Sequence, residues 1–516
     1  MKPILFSLLA FSLFAGQVKS NNISVSNISI TGQDISAGAN NSANFSLIKF
    51  DVSWENSWRS ASLNWDAAWV FVKYRVNGGV WNHCNLNNIG HTAPTGSTIA
   101  AGLVTPASAF NTTTNPAVGV FIYRTADGNG TVNYQNTQLR WNYGSQGVLD
   151  AAVLDIQVFA IEMVNVPTGT FAVGDGAVDP FNYNSNRFTL TTINTGIATT
   201  APSGTGSLGG QAGGYPTGQT APTNSSWPNG YNGFYCMKYE ITQGLYRDFL
   251  NTLTYSQQVG RTHDQGITTA GFMALYTGSN VQDRNGIEVK IAGNASNNTP
   301  AIFGCDYDGN NSYDSGYDGE WIACNYLSSG DLFALLDWSA LRPMSDMEFE
   351  KACRGPVAPV QREYAWGTNL RNLMANSASN PGTITEELGV IYSVSFGTGN
   401  YTENSYTFRG GNLASNSSNT GRITSGGTYY GIMEMTGNIA EKCIDFSSST
   451  FIGSHGDGTI NTSGVKTNSD WQYLILKSSD WNGNQGLEIS NRSGYFPNNE
   501  SFRNLLGGGR GVRSTQ

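Results

Sequence analysis

Runs of alternating apolar residues restrict the first third of this chain to β-structure. Apolar side chains occupy every second position over residues 48–54, and the pattern recurs over 70–76 and 154–160. Successive side chains of a β-strand point to opposite faces, so each run places its apolar residues on one buried face. Clusters of Gly, Asn and Pro separate the runs, which is typical of sandwiches built from short strands. The pattern predicts an all-β sandwich over residues 21–161.

The first twenty residues have the composition of a secretory signal. Lys2 precedes an apolar run over residues 4–15, and small or polar residues follow as far as Ser20. The run is shorter than the roughly 20 apolar residues that span a bilayer, and no later segment approaches that length. We expect cleavage after Ser20 and a secreted, periplasmic or cell-surface location without a transmembrane segment.

Charge and glycine content limit the remaining possibilities. Charged residues make up 13% of the chain, and the net charge of −9 is spread without long basic or acidic runs. A nucleic-acid-binding surface needs clustered Lys and Arg, so that function class is excluded. The 62 Gly, with many Asn, Ser and Thr, indicate a fold rich in turns and loops.

Three short helices are expected in the second part of the chain. The first begins after the N-cap Thr242, and the second covers residues 331–338. The third opens with a capping box formed by Ser345 and Glu348. Residues 194–232 are almost devoid of apolar side chains and are predicted to form an exposed loop.

Several stretches in this second part resemble one known family. They read FYCMKYEIT over 234–242, LRPMSDMEFEKACRG over 341–355, GIMEMTGNIAEKCID over 431–445 and GGRGVR over 508–513. In this order they resemble the domain of the formylglycine-generating enzyme, or sulfatase-modifying factor, a variant of the C-type lectin fold. The resemblance implies an α+β, loop-rich domain over residues 162–516. With a β-domain in front, the chain looks like exported bacterial members of that family.

The chemistry implied by the resemblance depends on residues that this chain lacks. The family's oxidase uses two cysteines that bind Cu(I) shortly before the closing motif, and soft thiolates suit that ion. No cysteine follows Cys443 here, and the corresponding residues 481–492 carry amides, hydroxyls and an aromatic ring. Iron-dependent relatives use a His-rich helical domain, whereas this chain has four His, none spaced as H-x-x-x-H. We therefore expect neither copper nor iron, and we favour a protein that is not a redox enzyme.

The turn around Gly437 is a candidate calcium site. In relatives, the corresponding turn binds Ca²⁺ through two side chains and two backbone carbonyls. These positions fall on Glu434, Gly437, Ile439 and Glu441, and oxygen ligands suit this hard cation. A second calcium site of the family would include Asn376. The alternative for the turn is a solvated bend with two surface acids.

A second candidate calcium site lies in an acidic loop. Asp306, Asp308 and Asn310 alternate beside a glycine, as oxygen ligands do in calcium loops. The Gly and Glu that an EF-hand loop requires are not at the expected positions. The loop is therefore either an irregular calcium loop or a solvated acidic loop. Cys305 and Cys324 flank the loop, and a disulfide between them would close it. Spacing does not determine the pairing, and buried free thiols are the alternative.

The last part of the chain has the composition of a binding surface. Residues 481–513 combine Trp, Tyr and Arg with Asn, Ser and Gly, as adaptable binding surfaces do. In the family this region lines the substrate groove. The predicted groove residues are Trp481, Asn482, Asn491, Arg492, Tyr495, Arg510 and Arg513.

These observations favour an exported binding or structural protein at the cell surface, whose partner is a peptide, a protein or a glycan. The alternatives are an enzyme of this family with an unrecognised centre and a component of a larger envelope assembly.

Overall fold

The computed structural model describes most of the chain after the predicted signal. The described residues are 22–61, 64–176, 190–197, 224–263, 266–372, 378–388, 396–397, 406–415, 419, 421–445, 448, 450–472, 474–479, 486–492, 494–496 (backbone only) and 500–515. Within them the protein is mostly β, with four short α-helices. A search of the described residues finds no helix with the length and apolar character needed to cross a membrane.

Eight strands form the first part of the molecule. They are β1 (Ser24–Asp34), β2 (Phe45–Ser60), β3 (Asn64–Val76), β4 (Asn82–His83), β5 (Ser97–Leu103), β6 (Ala117–Arg124), β7 (Gly128–Trp141) and β8 (Leu154–Val166). β2 pairs with β1 and β7, and β3 pairs with β6 and β8. The alternating residues of β2 and β3, including Phe50, Trp54 and Val72, share one buried core. The period-two pattern therefore predicted the buried faces of these strands.

The other face of β3 and β8 packs against the second part of the molecule. Phe71 and Phe159 meet the edge of the Trp338 ring, with centroid separations of 5.1 Å and 4.8 Å. β3 is therefore buried on both faces, and all nine residues from 66 to 74 are buried. This double burial explains why apolar residues such as Phe71 also occupy positions between the alternating ones.

In the second part, the described residues form the helices and thirteen short strands. They are β9 (Phe171–Val173), β10 (Thr191–Ile193), β11 (Phe234–Met237), α1 (Gln243–Asn251), α2 (Tyr255–Arg261), β12 (Ile287–Ile291), β13 (Ile302–Cys305), α3 (Ser329–Trp338), β14 (Arg342–Pro343), α4 (Asp346–Arg354), β15 (Ala378–Ser379), β16 (Glu387–Leu388), β17 (Ala440–Ile444), β18 (Leu474–Lys477), β19 (Gly494–Phe496), β20 (Gly507–Gly508) and β21 (Gly511–Ser514).

One sheet runs through both parts of the molecule. β8 pairs with β3 along most of its length and with β11 at its end, and β11 continues to β21 and β14. The boundary predicted between residues 161 and 162 thus falls inside β8. A strand shared by two sheet regions leaves no linker there for sequence composition to reveal.

The helix predictions are confirmed, with one omission. The Thr242 hydroxyl accepts a hydrogen bond from the Leu245 amide, and Ser345 and Glu348 form the expected capping box of α4. The sequence analysis missed α2, although Thr254 and Gln257 form a capping box of the same kind. Most of the predicted 194–232 loop, residues 198–223, lies outside the described residues.

The cysteines are free and buried. This holds for all six, so the structure does not form the predicted bond between Cys305 and Cys324. Both thiols instead pack into the largest hydrophobic core, and the Cys324 sulfur lies 3.7 Å from the Asn325 carbonyl oxygen. Burial raises the pKa of both thiols well above the usual value, which keeps them protonated and unreactive.

Candidate functional site

The turn that precedes β17 is held by buried hydrogen bonds. The Asn438 side-chain amide and the Ile439 backbone amide both donate to the Glu240 carboxylate. The side-chain oxygen of Asn438 accepts a hydrogen bond from the Phe408 backbone amide at 2.9 Å. Gly437 and Asn438 have φ values of 85° and 65°, in the left-handed region that Gly and Asn tolerate best. Long-range contacts therefore reinforce a conformation that the local sequence already favours.

Acidic side chains converge on this turn instead of facing solvent. Glu240 and Glu441 are each 1% exposed, and Glu434 is half-buried. The Gly411 amide donates to one oxygen of Glu434 at 2.7 Å. The solvated-turn alternative is therefore wrong at Glu441, because its side chain is buried inside the protein. Glu240 also belongs to the site, although the sequence analysis did not assign it.

A buried arginine pairs with one of these acids. Arg510 donates from Nε and Nη2 to the same oxygen of Glu441, at 2.8 Å and 2.7 Å. Its remaining hydrogen bonds go to the carbonyl oxygens of Met237, Lys238 and Met433, at 3.1 Å, 3.3 Å and 2.9 Å. Arg510 was predicted to line a ligand groove, but it is 1% exposed and bonded inside the protein.

The turn carries more negative charge than Arg510 neutralises. Three carboxylates, those of Glu240, Glu434 and Glu441, surround one guanidinium. The Oε2 atoms of Glu434 and Glu441 are buried and have no hydrogen-bond partner. Desolvation raises the pKa of all three acids, that of Glu434 to about 7. Arg409 also lowers the pKa of Glu434, so a second guanidinium offsets part of this negative charge.

The donor set at the turn fits a hard cation. It offers carboxylate oxygens from Glu434 and Glu441, and the carbonyls of Gly437 and Ile439 lie in the same segment. Among the described residues, these acids do not belong to a group of three whose ligand atoms lie within 4.8 Å of one another. Backbone carbonyls would therefore have to complete the coordination, as the family resemblance implies.

The acidic loop between β13 and α3 adds a third aspartate to the two predicted ones. Carboxylate oxygens of Asp306, Asp308 and Asp318 lie within 4.8 Å of one another. The Asn310 side-chain amide donates to Asp308 at 2.7 Å, and its side-chain oxygen accepts from the Ser312 amide at 2.6 Å. The sequence analysis did not assign Asp318, which lies near the middle of the loop.

The other predicted groove residues that can be assessed are also buried. Arg492 forms an ion pair with Asp346 at 2.9 Å. Asn491 is 9% exposed, and its backbone carbonyl oxygen accepts a hydrogen bond from the Lys477 ammonium group. Arg513 donates to the carbonyl oxygens of Ala340 and Leu103 across the junction of the two parts. None of these three side chains faces a ligand surface in this structure. Asn376, Trp481, Asn482 and the Tyr495 side chain lie outside the described residues.

An open groove lies elsewhere, between the first sheet and the α1–α2 connection. It has a cavity volume of about 710 Å³. Arg75 pairs with Asp155 at 2.7 Å in its wall and stacks over the Trp81 ring at 4.7 Å. Val80 and Ile302, which are 57% and 45% exposed, also line it. Sequence reasoning missed this groove because its residues come from segments that are far apart in the chain.

The cysteines of the second part do not assemble a thiolate centre. Cys236, Cys353 and Cys443 share one core cluster, and all three are fully buried. Burial raises the pKa of each thiol, that of Cys236 to about 12. No group of three thiols, imidazoles or carboxylates with metal-binding spacing includes them among the described residues.

The remaining evidence comes from comparison with known proteins. Residues 157–494 match the family described as the sulfatase-modifying factor enzyme 1-like domain. No curated protein matches the sequence. The matched segment covers well over half of the 516 residues and includes the turn, the acidic loop and all four helices. The chain therefore belongs to the sulfatase-modifying factor enzyme 1-like domain family.

Proposed function

We propose that this chain is an exported, non-redox member of its family that binds a peptide at the cell surface. The observation that carries the proposal is the absence of any cysteine in residues 444–516, where relatives place the Cu(I)-binding pair. Cu(I) needs soft ligands, and amides and hydroxyls do not replace thiolates in that role. The cysteines that remain are buried with raised pKa values, so none takes over as a nucleophile.

The 710 Å³ groove is the proposed peptide site. Its volume lies in the range of ordinary ligand pockets, which are mostly apolar with a few well-placed polar groups. Aliphatic side chains such as Ile30, Val80 and Ile302 dominate its walls, and the Arg75–Asp155 pair supplies charge at one place. This lining favours a peptide with apolar side chains over a glycan, which needs a denser set of polar partners.

Two further features belong to this proposal. Residues 22–161 form a β-sandwich, a proposal supported by the core that β2, β3, β7 and β8 share. Ca²⁺ at the Glu434–Glu441 turn stabilises the C-type-lectin-like domain, a proposal supported by the two buried carboxylate oxygens without partners.

Peptide selection tests the groove. A peptide library is selected against the purified mature chain, and the enriched peptides are measured by fluorescence anisotropy against two variants. Val80→Glu places a charge in the groove, whereas Ile89→Glu, at a residue that is 68% exposed outside the groove, is the matched control. We expect Val80→Glu to lose binding and Ile89→Glu to keep it. Equal binding by both variants, or binding of glycans alone on an array, would contradict the peptide site.

A copper assay tests the non-redox part separately. The mature chain is incubated with Cu(I), oxygen and a cysteine-containing peptide, and aldehyde formation is followed by mass spectrometry. We expect no aldehyde. Stoichiometric conversion would show that the chain is an oxidase with an unrecognised centre.

A further inference from the structure

We propose that the loop between β13 and α3 binds one Ca²⁺ ion through Asp306, Asp308 and Asp318. The site is distinct from the Glu434–Glu441 turn and does not depend on the function proposed above. It also extends the spacing-based prediction, because it includes Asp318. The ion would join the start of the loop to its middle.

The carboxylates have the separation that a shared ion requires. One oxygen from each of the three residues lies within 4.8 Å of the other two. Oxygens bound to the same Ca²⁺ at about 2.3–2.6 Å are separated by about 3–5 Å, depending on the angle between them. Asp306 directly follows β13, and Asp318 lies near the middle of the loop. The folding of the loop back on itself, and not the alternate spacing of neighbouring residues, therefore creates the cluster.

A buried oxygen without a partner points to a missing ligand. Asp318 is 0% exposed, and its Oδ2 atom accepts from the Ser315 amide. Its Oδ1 atom is buried and has no hydrogen-bond partner. An unsatisfied buried polar group is destabilising, and more so if it is charged, so native structures rarely leave one without a reason. A cation between the three carboxylates would satisfy this atom.

Nearby basic residues do not neutralise the cluster. Arg247 is paired with Asp248 and Asp314, and Lys290 lies 3.8 Å from Asp314. The Asp306 oxygens accept only from backbone amides, at 3.0 Å and 2.9 Å. Desolvation raises the pKa of Asp318, and the charges of Asp308 and Asp306 raise it further. Two buried carboxylates and one exposed carboxylate therefore repel one another without a compensating charge.

The chemistry of the cluster selects the class of ion. All three ligands are carboxylate oxygens, and no imidazole or thiol belongs to the group. Zn²⁺ and Cu⁺ prefer nitrogen and sulfur ligands, whereas Ca²⁺ accepts six to eight oxygens in irregular arrangements. Mg²⁺ demands near-octahedral geometry and keeps several waters, which an irregular loop with two buried carboxylates does not favour.

Calcium titration of the full mature chain tests the site. The chain is freed of metal with EDTA and titrated with CaCl₂ in a calorimeter, in parallel with Asp308→Asn and Asp318→Asn. Asp127→Asn, which also changes an exposed acid, is the matched control. We expect each cluster variant to bind one Ca²⁺ fewer than the wild type and the control. The turn is intact in every variant, so its contribution is the same throughout.

Thermal melting separates loss of the ion from loss of the fold. Without calcium, Asp318→Asn should melt no lower than the wild type, because the substitution removes a buried charge that repels its neighbours. With calcium, the wild type should gain stability at this site and the variant should not. If Asp318→Asn fails to fold, the calcium titration of Asp308→Asn, a substitution at an exposed residue, provides the test. The same number of bound ions in Asp308→Asn and the wild type, or occupancy by Mg²⁺ alone, would overturn the proposal.

Discussion

Replacing Arg510 by methionine tests whether the buried guanidinium holds the turn before β17 together. Methionine keeps the unbranched apolar stem, so the packing around the side chain changes little. The substitution removes the charge and both hydrogen bonds to Glu441, together with the bonds to three backbone carbonyls. Glu441 is 1% exposed and would keep a buried charge without a partner.

The expected cost follows from this geometry. Removing one member of a buried ion pair destabilises a protein by about 3–5 kcal/mol, because the charge that remains is neither hydrated nor paired. Glu434 and Glu240 add repulsion, since both also face Arg510. We therefore expect the free energy of unfolding to fall by about 3–5 kcal/mol in Arg510→Met. Replacing both charged partners by groups of similar size is often close to neutral, so Arg510→Met/Glu441→Gln should recover most of the loss.

Urea unfolding followed by tryptophan fluorescence measures these free energies. EDTA is present throughout, so that calcium at the turn does not compensate for the missing charge. The wild type, both single variants and the double variant form a double-mutant cycle, and we expect a coupling energy of at least about 2 kcal/mol. A loss below about 1 kcal/mol in Arg510→Met would refute the reasoning. So would a double variant that is no more stable than Arg510→Met.

Two other predictions concern pH and the junction of the two parts. The pKa of Glu434 is raised to about 7, so the folded state binds more protons than the unfolded state between about pH 4.5 and 7. The free energy of unfolding, measured in EDTA, should therefore fall as pH rises through this range. Saturating calcium should reduce that fall in thermal melts if the turn binds the ion, because the ion favours ionised Glu434. Gly458 has a φ of 89°, and an added Cβ would lie 2.2 Å from the His83 ring, so Gly458→Ala should cost at least about 2 kcal/mol. Gly309 also has a positive φ, 69°, but an added Cβ there would meet no neighbouring atom, so Gly309→Ala is the control. An equal drop in melting temperature for the two variants would show that the contact with His83 is unimportant.

Local sequence patterns predicted the regular elements well. Alternating apolar residues located β2, β3 and β8, because the period of a strand depends only on neighbouring residues. Capping residues located α1 and α4 for the same reason, since a cap and its amide partner lie within one turn. The boundary between the two parts was not predictable in this way, because β8 pairs with strands from both.

Residues that act through distant partners were the ones that sequence reasoning misplaced. Arg510 and Arg513 stand among glycines near the end of the chain, a context that suggests an exposed surface. Arg513 instead reaches the Leu103 carbonyl, more than four hundred residues earlier, and stacks over Trp69 at 4.5 Å. Asp318, which the sequence analysis did not assign, shows the same effect on a smaller scale, because the folding of the loop decides which carboxylates meet.

The sequence by itself determined the family, because motif order is a property of the covalent chain, and it showed that residues 444–516 contain no cysteine. It also located β2, β3, β8, α1, α3 and α4, since strand and helix periodicity and helix capping depend on neighbouring residues. Only the tertiary structure decided which acids converge, which arginines are buried and where a groove opens. These features depend on distances between residues far apart in the chain, and such distances are set by packing of the whole core rather than by local spacing.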